Sequence, residues 1–374
     1  MKNIFYLSVI FMSVFFLATG CKKTDSDTGI TVAAVTPTVS TVAATNVAAP
    51  TANAGGNITS DGGSIVMEAG VCYDTLSGVT IAKSKISSYT VSGNYNLTLV
   101  KLIMGKTYYY KAYAINSKGI SYGTEMSFVV PFSINGYYHS RDVAAANLAA
   151  YWAFESGYVD SVSNTVGTAV NAAAISFVSG IAGKAVQVAS PGYINSNITN
   201  TIAKLGSFTM ACWIKQPASL STGPTTYIPF SLNSAGFSWE QTKLFMLFNN
   251  ADNATNSYGK VCMMDQWFDK GQVWPKMLDG NWHHLAITYN NTSGALGVYV
   301  DGALLSQASG ATFGPQTNFA GATSFTLGGP DANATAVNGW MNSLSGDLDE
   351  FKVFNKDLNA TDVQSLYVLQ SHGL

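Results

Sequence analysis

Charge is what this sequence has least of. Asp, Glu, Lys and Arg together make up 11% of its 374 residues, against about 25% in an ordinary soluble domain. Net charge is -2, and no Lys/Arg cluster occurs outside the N-terminus, so the chain lacks the electrostatic footprint of a nucleic-acid binder. Cysteines number four and histidines four, with none of the C-x-x-C or H-x-x-x-H spacings that hold zinc. His283 and His284 are adjacent in a strand-like run, so their rings face opposite sides and do not chelate one metal. No G-x-S-x-G or Cys/His catalytic pattern occurs. What fills the space left by charge is Gly, Ser, Thr, Asn and aromatic residues, the composition of an extracellular all-β protein with neutral polar faces.

The chain opens with a processing segment. Lys2 precedes an apolar run from Ile4 to Ala18, too short for a transmembrane helix, which needs about 20 residues. Leu17-Ala18-Thr19-Gly20-Cys21 resembles the bacterial lipobox, which implies lipidation of Cys21; the alternative is an ordinary secretory signal with an incidental cysteine. Residues 1–21 are thus read as signal peptide and 22–30 as a flexible polar tether. The lipobox resemblance implies a lipid-anchored outer-membrane protein facing the cell surface or the periplasm.

Residues 31–131 alternate in β fashion with regular turns. Ser60-Asp61-Gly62-Gly63-Ser64, Ala69-Gly70-Val71-Cys72-Tyr73, Lys106-Thr107-Tyr108-Tyr109-Tyr110-Lys111-Ala112-Tyr113-Ala114-Ile115-Asn116 and Tyr122-Gly123-Thr124-Glu125-Met126-Ser127-Phe128 resemble the fibronectin type III-like modules of bacterial surface proteins. That resemblance implies a β-sandwich acting as a spacer. Cys72 is expected as a buried thiol. Residues 132–146 read as a linker, with Asn135-Gly136 as a turn.

From 147 to 374 a second pattern holds. Leu148-Ala149-Ala150-Tyr151-Trp152-Ala153-Phe154-Glu155 opens it. Phe208-Thr209-Met210-Ala211-Cys212-Trp213-Ile214-Lys215, Gly280-Asn281-Trp282-His283-His284-Leu285 and Gly297-Val298-Tyr299-Val300-Asp301-Gly302 follow. Gly346-Asp347-Leu348-Asp349-Glu350-Phe351-Lys352-Val353-Phe354 closes it. Together these resemble the laminin-G-like jelly rolls of the concanavalin A-like superfamily. Strict alternation in the closing strand places Leu348, Glu350, Lys352 and Phe354 on one face and Asp347, Asp349, Phe351 and Val353 on the other. A short helix follows, capped by Asn359 or Thr361 and presenting Val363, Leu366 and Tyr367. The expected fold class is all-β: a fibronectin type III-like sandwich, then a concanavalin A-like (laminin-G-like) jelly-roll sandwich.

The jelly-roll resemblance implies a structural Ca²⁺ at Glu155 and Asp349; the alternative is that both carboxylates bond to strand ends. It also brings hydrolases into view, whose E-x-D-x-(x)-E acids share one strand face. Asp347-x-Asp349-Glu350 does not satisfy that rule, since alternation sets Glu350 opposite Asp347, and the chain is read as non-enzymatic. Cys212 and Cys262 are read as two buried thiols, or as a disulfide if their Cα atoms lie within about 7 Å. Trp152, Trp213 and Trp282 lie on the patterned strands and are assigned to the core.

An unusual insertion near 249–279 combines Tyr258, Asp265, Gln266, Trp267 and Trp274, aromatic rings beside hydrogen-bonding groups. That mixture suits a sugar platform; the alternative is a small apolar plug that keeps the insertion ordered. The resulting expectation is a non-catalytic carbohydrate-binding surface lipoprotein whose partner is a neutral glycan. The alternative is a structural or adhesive protein whose jelly roll binds another protein. Glycoside hydrolysis is the weakest of the three readings.

Overall fold

The computed structural model describes residues 33–374 except 219–225, 235–242, 250–255, 265, 269–273, 309–318 and 338. Cys21 and the tether therefore lie outside the described residues. The chain divides into two compact units, Met1–Val130 and Pro131–Leu374.

The first unit is built of two antiparallel sheets. Thr38–Ala48, Thr51–Ser60 and Gly93–Leu99 form one; Ser84–Ser88, Glu68–Asp74, Thr107–Asn116, Gly119–Tyr122 and Met126–Val129 form the other. Period-two side-chain alternation drives the assembly. Tyr108, Tyr110, Ala112 and Ala114 of one strand enter a core with Val39, Ala54, Ile58, Val71, Tyr95 and Leu99. The sheets approach closely at Gly56, where a Cβ would come within 2.5 Å of the Ala112 Cβ. Cys72 is a fully buried thiol whose Sγ–H donates to the Lys111 carbonyl at 3.6 Å.

The second unit is a sandwich of two larger sheets. One runs in the order Ile175–Ser179, Lys184–Val188, Gly346–Phe354, Phe208–Lys215, Trp282–Asn290, Ala295–Val300, Ala303–Ala308, with Leu148–Trp152 also paired to Gly346–Phe354. The facing sheet contains Tyr193–Asn195, Ala322–Leu327, Thr226–Ser234, Leu244–Asn249 and Asn256–Met263 among its strands. Between them lie Trp152, Phe230, Phe325 and Phe351, in edge-on and tilted contacts with ring centroids 5.4–6.5 Å apart. Trp152 is fully buried and Trp213 nearly so.

The sequence pattern misses one feature of the closing strand. Leu348, Phe351 and Val353 all face the core, although the first two are three residues apart. A β-bulge resolves the mismatch. Opposite Phe208–Lys215 the register shifts between Ala211↔Lys352 and Trp213↔Asp349, and Glu350 adopts φ +51°. The extra residue reverses the alternation, and Glu350 turns to the outer side with Lys352.

Helix Ala360–Ser371 packs over that outer side. Asn359 caps it, accepting from the Asp362 N–H at 2.9 Å, and Val363, Leu366 and Leu369 cover Ala211, Ala286 and Tyr299. Trp213 lies beneath, donating from Nε1 to Gln370 at 2.9 Å and stacking on Tyr367.

Candidate functional site

One row of side chains crosses the outer face of this sheet. The register pairs Ser176 with Gln187, Gln187 with Asp347, Asp347 with Lys215, and Lys215 with Trp282. Each alternates with an inward-pointing apolar neighbour: Gln187 lies between Val186 and Val188, Asp347 precedes Leu348, and Lys215 follows Ile214. Five strands thus place five polar or aromatic side chains on one line.

The line is linked through its own bonds. Ser176 Oγ donates to Gln187 Oε1 at 3.4 Å, and Gln187 Nε2 donates to Asp347 Oδ1 at 3.0 Å. Lys215 Nζ lies 6.0 Å from the centre of the Trp282 ring. Ser176, Gln187, Lys215 and Asp347 line a groove of about 590 Å³, a volume typical of ligand sites. Burial pushes the Asp347 carboxyl above its ordinary value, against the pull of the Gln187 bond and the Lys215 charge. With one acid and one base, the row carries donors and acceptors without net charge, which suits hydroxyl-rich ligands.

The sequence-predicted insertion site fares differently. Trp274 is 1% exposed, edge-on to Phe248 at 5.5 Å, with its ring against Gly259, where a Cβ would come within 2.1 Å. It is a core plug, because the strand pair leaves a slot that only glycine opens. Trp267 is half-buried on the outer face of the other sheet, edge-on to Phe245 at 5.3 Å, with Lys260 Nζ 6.0 Å from its ring. Gln266 beside it is exposed. Asp265 and the Tyr258 side chain lie outside the described residues. Trp282, assigned to the core from sequence, is half-buried on the outer face instead.

No disulfide joins Cys212 to Cys262. Cys212 sits in the core between the sheets, whereas Cys262 packs with Ile228, Phe245 and Met341 on the far face of the opposite sheet. Burial pushes the Cys212 thiol up.

Glu155 and Asp349 converge on one loop. Asp349 Oδ2 accepts from the Ile181 and Ala182 N–H groups at 2.9 and 3.3 Å, and Glu155 accepts from the Lys184 N–H at 3.2 Å. Burial, then the like charge of Glu350, pushes Asp349 up to about 8. The donor chemistry is oxygen only and fits Ca²⁺; the loop amides hold the same oxygens here. Asp160, at the end of the short strand Val159–Asp160, accepts from the Tyr151, Val162 and Ser163 N–H groups and anchors the 161–164 turn.

The bulge overturns the opposite-face argument against catalysis, since Glu350 shares the outer side. Its carboxylate is nevertheless fully engaged. It accepts from Tyr151 Oη at 2.6 Å, Gln370 Nε2 at 2.9 Å and Lys352 Nζ at 3.0 Å.

Residues 189–364 match the family model described as the concanavalin A-like lectin/glucanases superfamily. The second unit is a concanavalin A-like jelly roll. No curated protein matches the chain. Among solved structures, it is similar to domain 4 of AbnA, an extracellular arabinanase from Geobacillus stearothermophilus in complex with arabinotriose. Identity is 21% and the TM-score 0.45, over 59% of this chain and 98% of that one. A pentraxin from Limulus polyphemus shows 15% identity and a TM-score of 0.34, over 44% of this chain and 70% of that one. A Trypanosoma rangeli sialidase mutant shows 14% identity and a TM-score of 0.45, over 71% of this chain and 43% of that one. Likeness at this distance stops short of function, since the jelly-roll fold hosts both binding domains and hydrolases.

Proposed function

We propose that the jelly roll is a non-catalytic carbohydrate-binding domain that takes a neutral glycan in the outer-face groove. The observation that carries this reading is the row Ser176–Gln187–Asp347–Lys215–Trp282, balanced in charge and ending on a half-buried tryptophan. The non-catalytic part is supported by the acids: Asp347 is the one carboxylate of the row, and hydrolysis wants a facing pair. Asp349 and Glu350, the nearest others, are bonded to the loop amides and to the Tyr151–Gln370–Lys352 set. Ca²⁺ at Glu155 and Asp349, lipidation at Cys21 and the fibronectin-like nature of the first unit belong to the same proposal.

The test is titration of the chain from residue 22 against a panel of neutral oligosaccharides, with Gln187→Ala and Asp347→Ala variants. Each substitution removes hydrogen bonds worth about 1–1.5 kcal/mol, so affinity should drop about five- to tenfold while the fold stays intact. Absence of any binding at millimolar ligand, or variants that bind as the parent does, would overturn the reading.

A further inference from the structure

The shape of the groove goes further than its chemistry. Two positions along each chain from the polar row, always in the same spatial direction because neighbouring strands are antiparallel, stand Ala174, Ala189, Ser345, Pro217 and Gly280. All five line the groove. Small residues just past the ends of all five strands therefore flank the polar row. Two positions the other way, three of the five strands are filled: Trp213 and His284 lie under Tyr367, and Asp349 is fully buried against the 181–182 loop. The groove is thus shut on its helix side and runs across the strands, not along them.

We propose that this trough is a ruler for a linear neutral oligosaccharide laid across the strands, one sugar residue to each strand, with four to five residues filling it. Neighbouring strands lie about 4.8 Å apart, so the row spans about 19 Å from Ser176 to Trp282, and a pyranose advances a glycan by nearly one strand spacing. Gln187 and Asp347 meet hydroxyls in the middle. Trp282 offers its ring to the residue at one end, with Lys215 beside it as a donor. The small row leaves room for the sugar rings where larger side chains would fill the trough. Lys215 and Asp347 cancel in charge, which selects a neutral chain over a uronic-acid polymer.

This inference rests on the glycan-binding reading, and its test separates the two. Linear gluco-, xylo-, manno- and arabino-oligosaccharides of one to six units are titrated against the chain from residue 22 by calorimetry. For whichever series binds, affinity should climb at least a hundredfold from monomer to tetramer and stay flat beyond five units. Trp282→Ala should move that plateau one unit shorter, with the thermal midpoint of the unfolding transition retained. A monosaccharide that binds as tightly as the tetramer, or affinity still rising at six units, would overturn the ruler and leave glycan binding standing. Failure of every series would remove both. As a shape check, Ala189→Phe should weaken tetramer binding at least tenfold; unchanged affinity would place the ligand outside the trough.

Discussion

Lys352 offers the sharpest test of how the outer side of the closing strand is held. Its side chain is 1% exposed and that of its partner Glu350 is 5%. The ammonium donates to Glu350 Oε2 at 3.0 Å and Ser140 Oγ at 2.9 Å, and lies 4.5 Å from the centre of the Tyr151 ring. Burial lowers the Lys352 pKa, against the pull of Glu350. Lys352→Met would leave the Glu350 carboxylate with two neutral donors beside Asp349. Breaking a buried pair by removing one partner costs about 3–5 kcal/mol. For a unit of this size each kcal/mol lowers the midpoint by about 2–4 °C, so the fall should be about 6–20 °C. Tryptophan fluorescence reports the transition cleanly, because all seven tryptophans lie beyond residue 131. The double variant Glu350→Gln/Lys352→Met should recover more than half of the loss, since the uncompensated charge goes with it. A single variant costing under about 1 kcal/mol, as an exposed pair would, refutes the reasoning, and so does a double variant that shows no recovery.

Three further outcomes follow from the same geometry. Gly259→Ala should destabilise the jelly roll by about 1–3 kcal/mol by overpacking against Trp274, read from the same fluorescence transition; a neutral effect would mean the slot is looser than described. Burial holds His284 near 3, below its ordinary value, so the unfolded chain binds a proton that the folded one refuses, and stability falls as pH drops through 6.5 toward 3. His284→Leu should therefore flatten the acid limb by about 1.4 kcal/mol per pH unit between roughly pH 4 and 6, whereas an unchanged slope would clear His284 of that role. Chelation should lower the midpoint, by about 2.7 kcal/mol of lost stability if Ca²⁺ stood at a hundredfold excess over Kd. Glu155→Ala or Asp349→Ala should abolish that response; a midpoint indifferent to chelator, with no metal by elemental analysis, would remove the ion.

The sequence carried the outline well because its strongest signals are local. The Trp152, Trp213 and Phe351 strands are legible as alternation, and Asn359 as a cap, since each depends on residues a few positions apart. Bulges are not legible that way. Nothing in Asp349-Glu350 announces φ +51°, and the extra residue reverses every face assignment before or after it. Trp274 stays open in the sequence between platform and plug, because composition reports an aromatic ring but not the glycine slot that takes it. The groove was hidden for a third reason. Ser176, Gln187, Asp347 and Lys215 are far apart in the chain, and only strand order and register put them on one line. A polar residue between two valines, as at Gln187, marks an outward face; which outward residues are neighbours is a property of the sheet.

The most direct measurement is a crystal structure of the chain with its best-binding neutral oligosaccharide. Sugar density should lie across the strands above Gln187, Asp347 and Lys215, with one ring against Trp282. Density seated instead on the opposite sheet near Trp267, or an empty groove at saturating ligand, would contradict it.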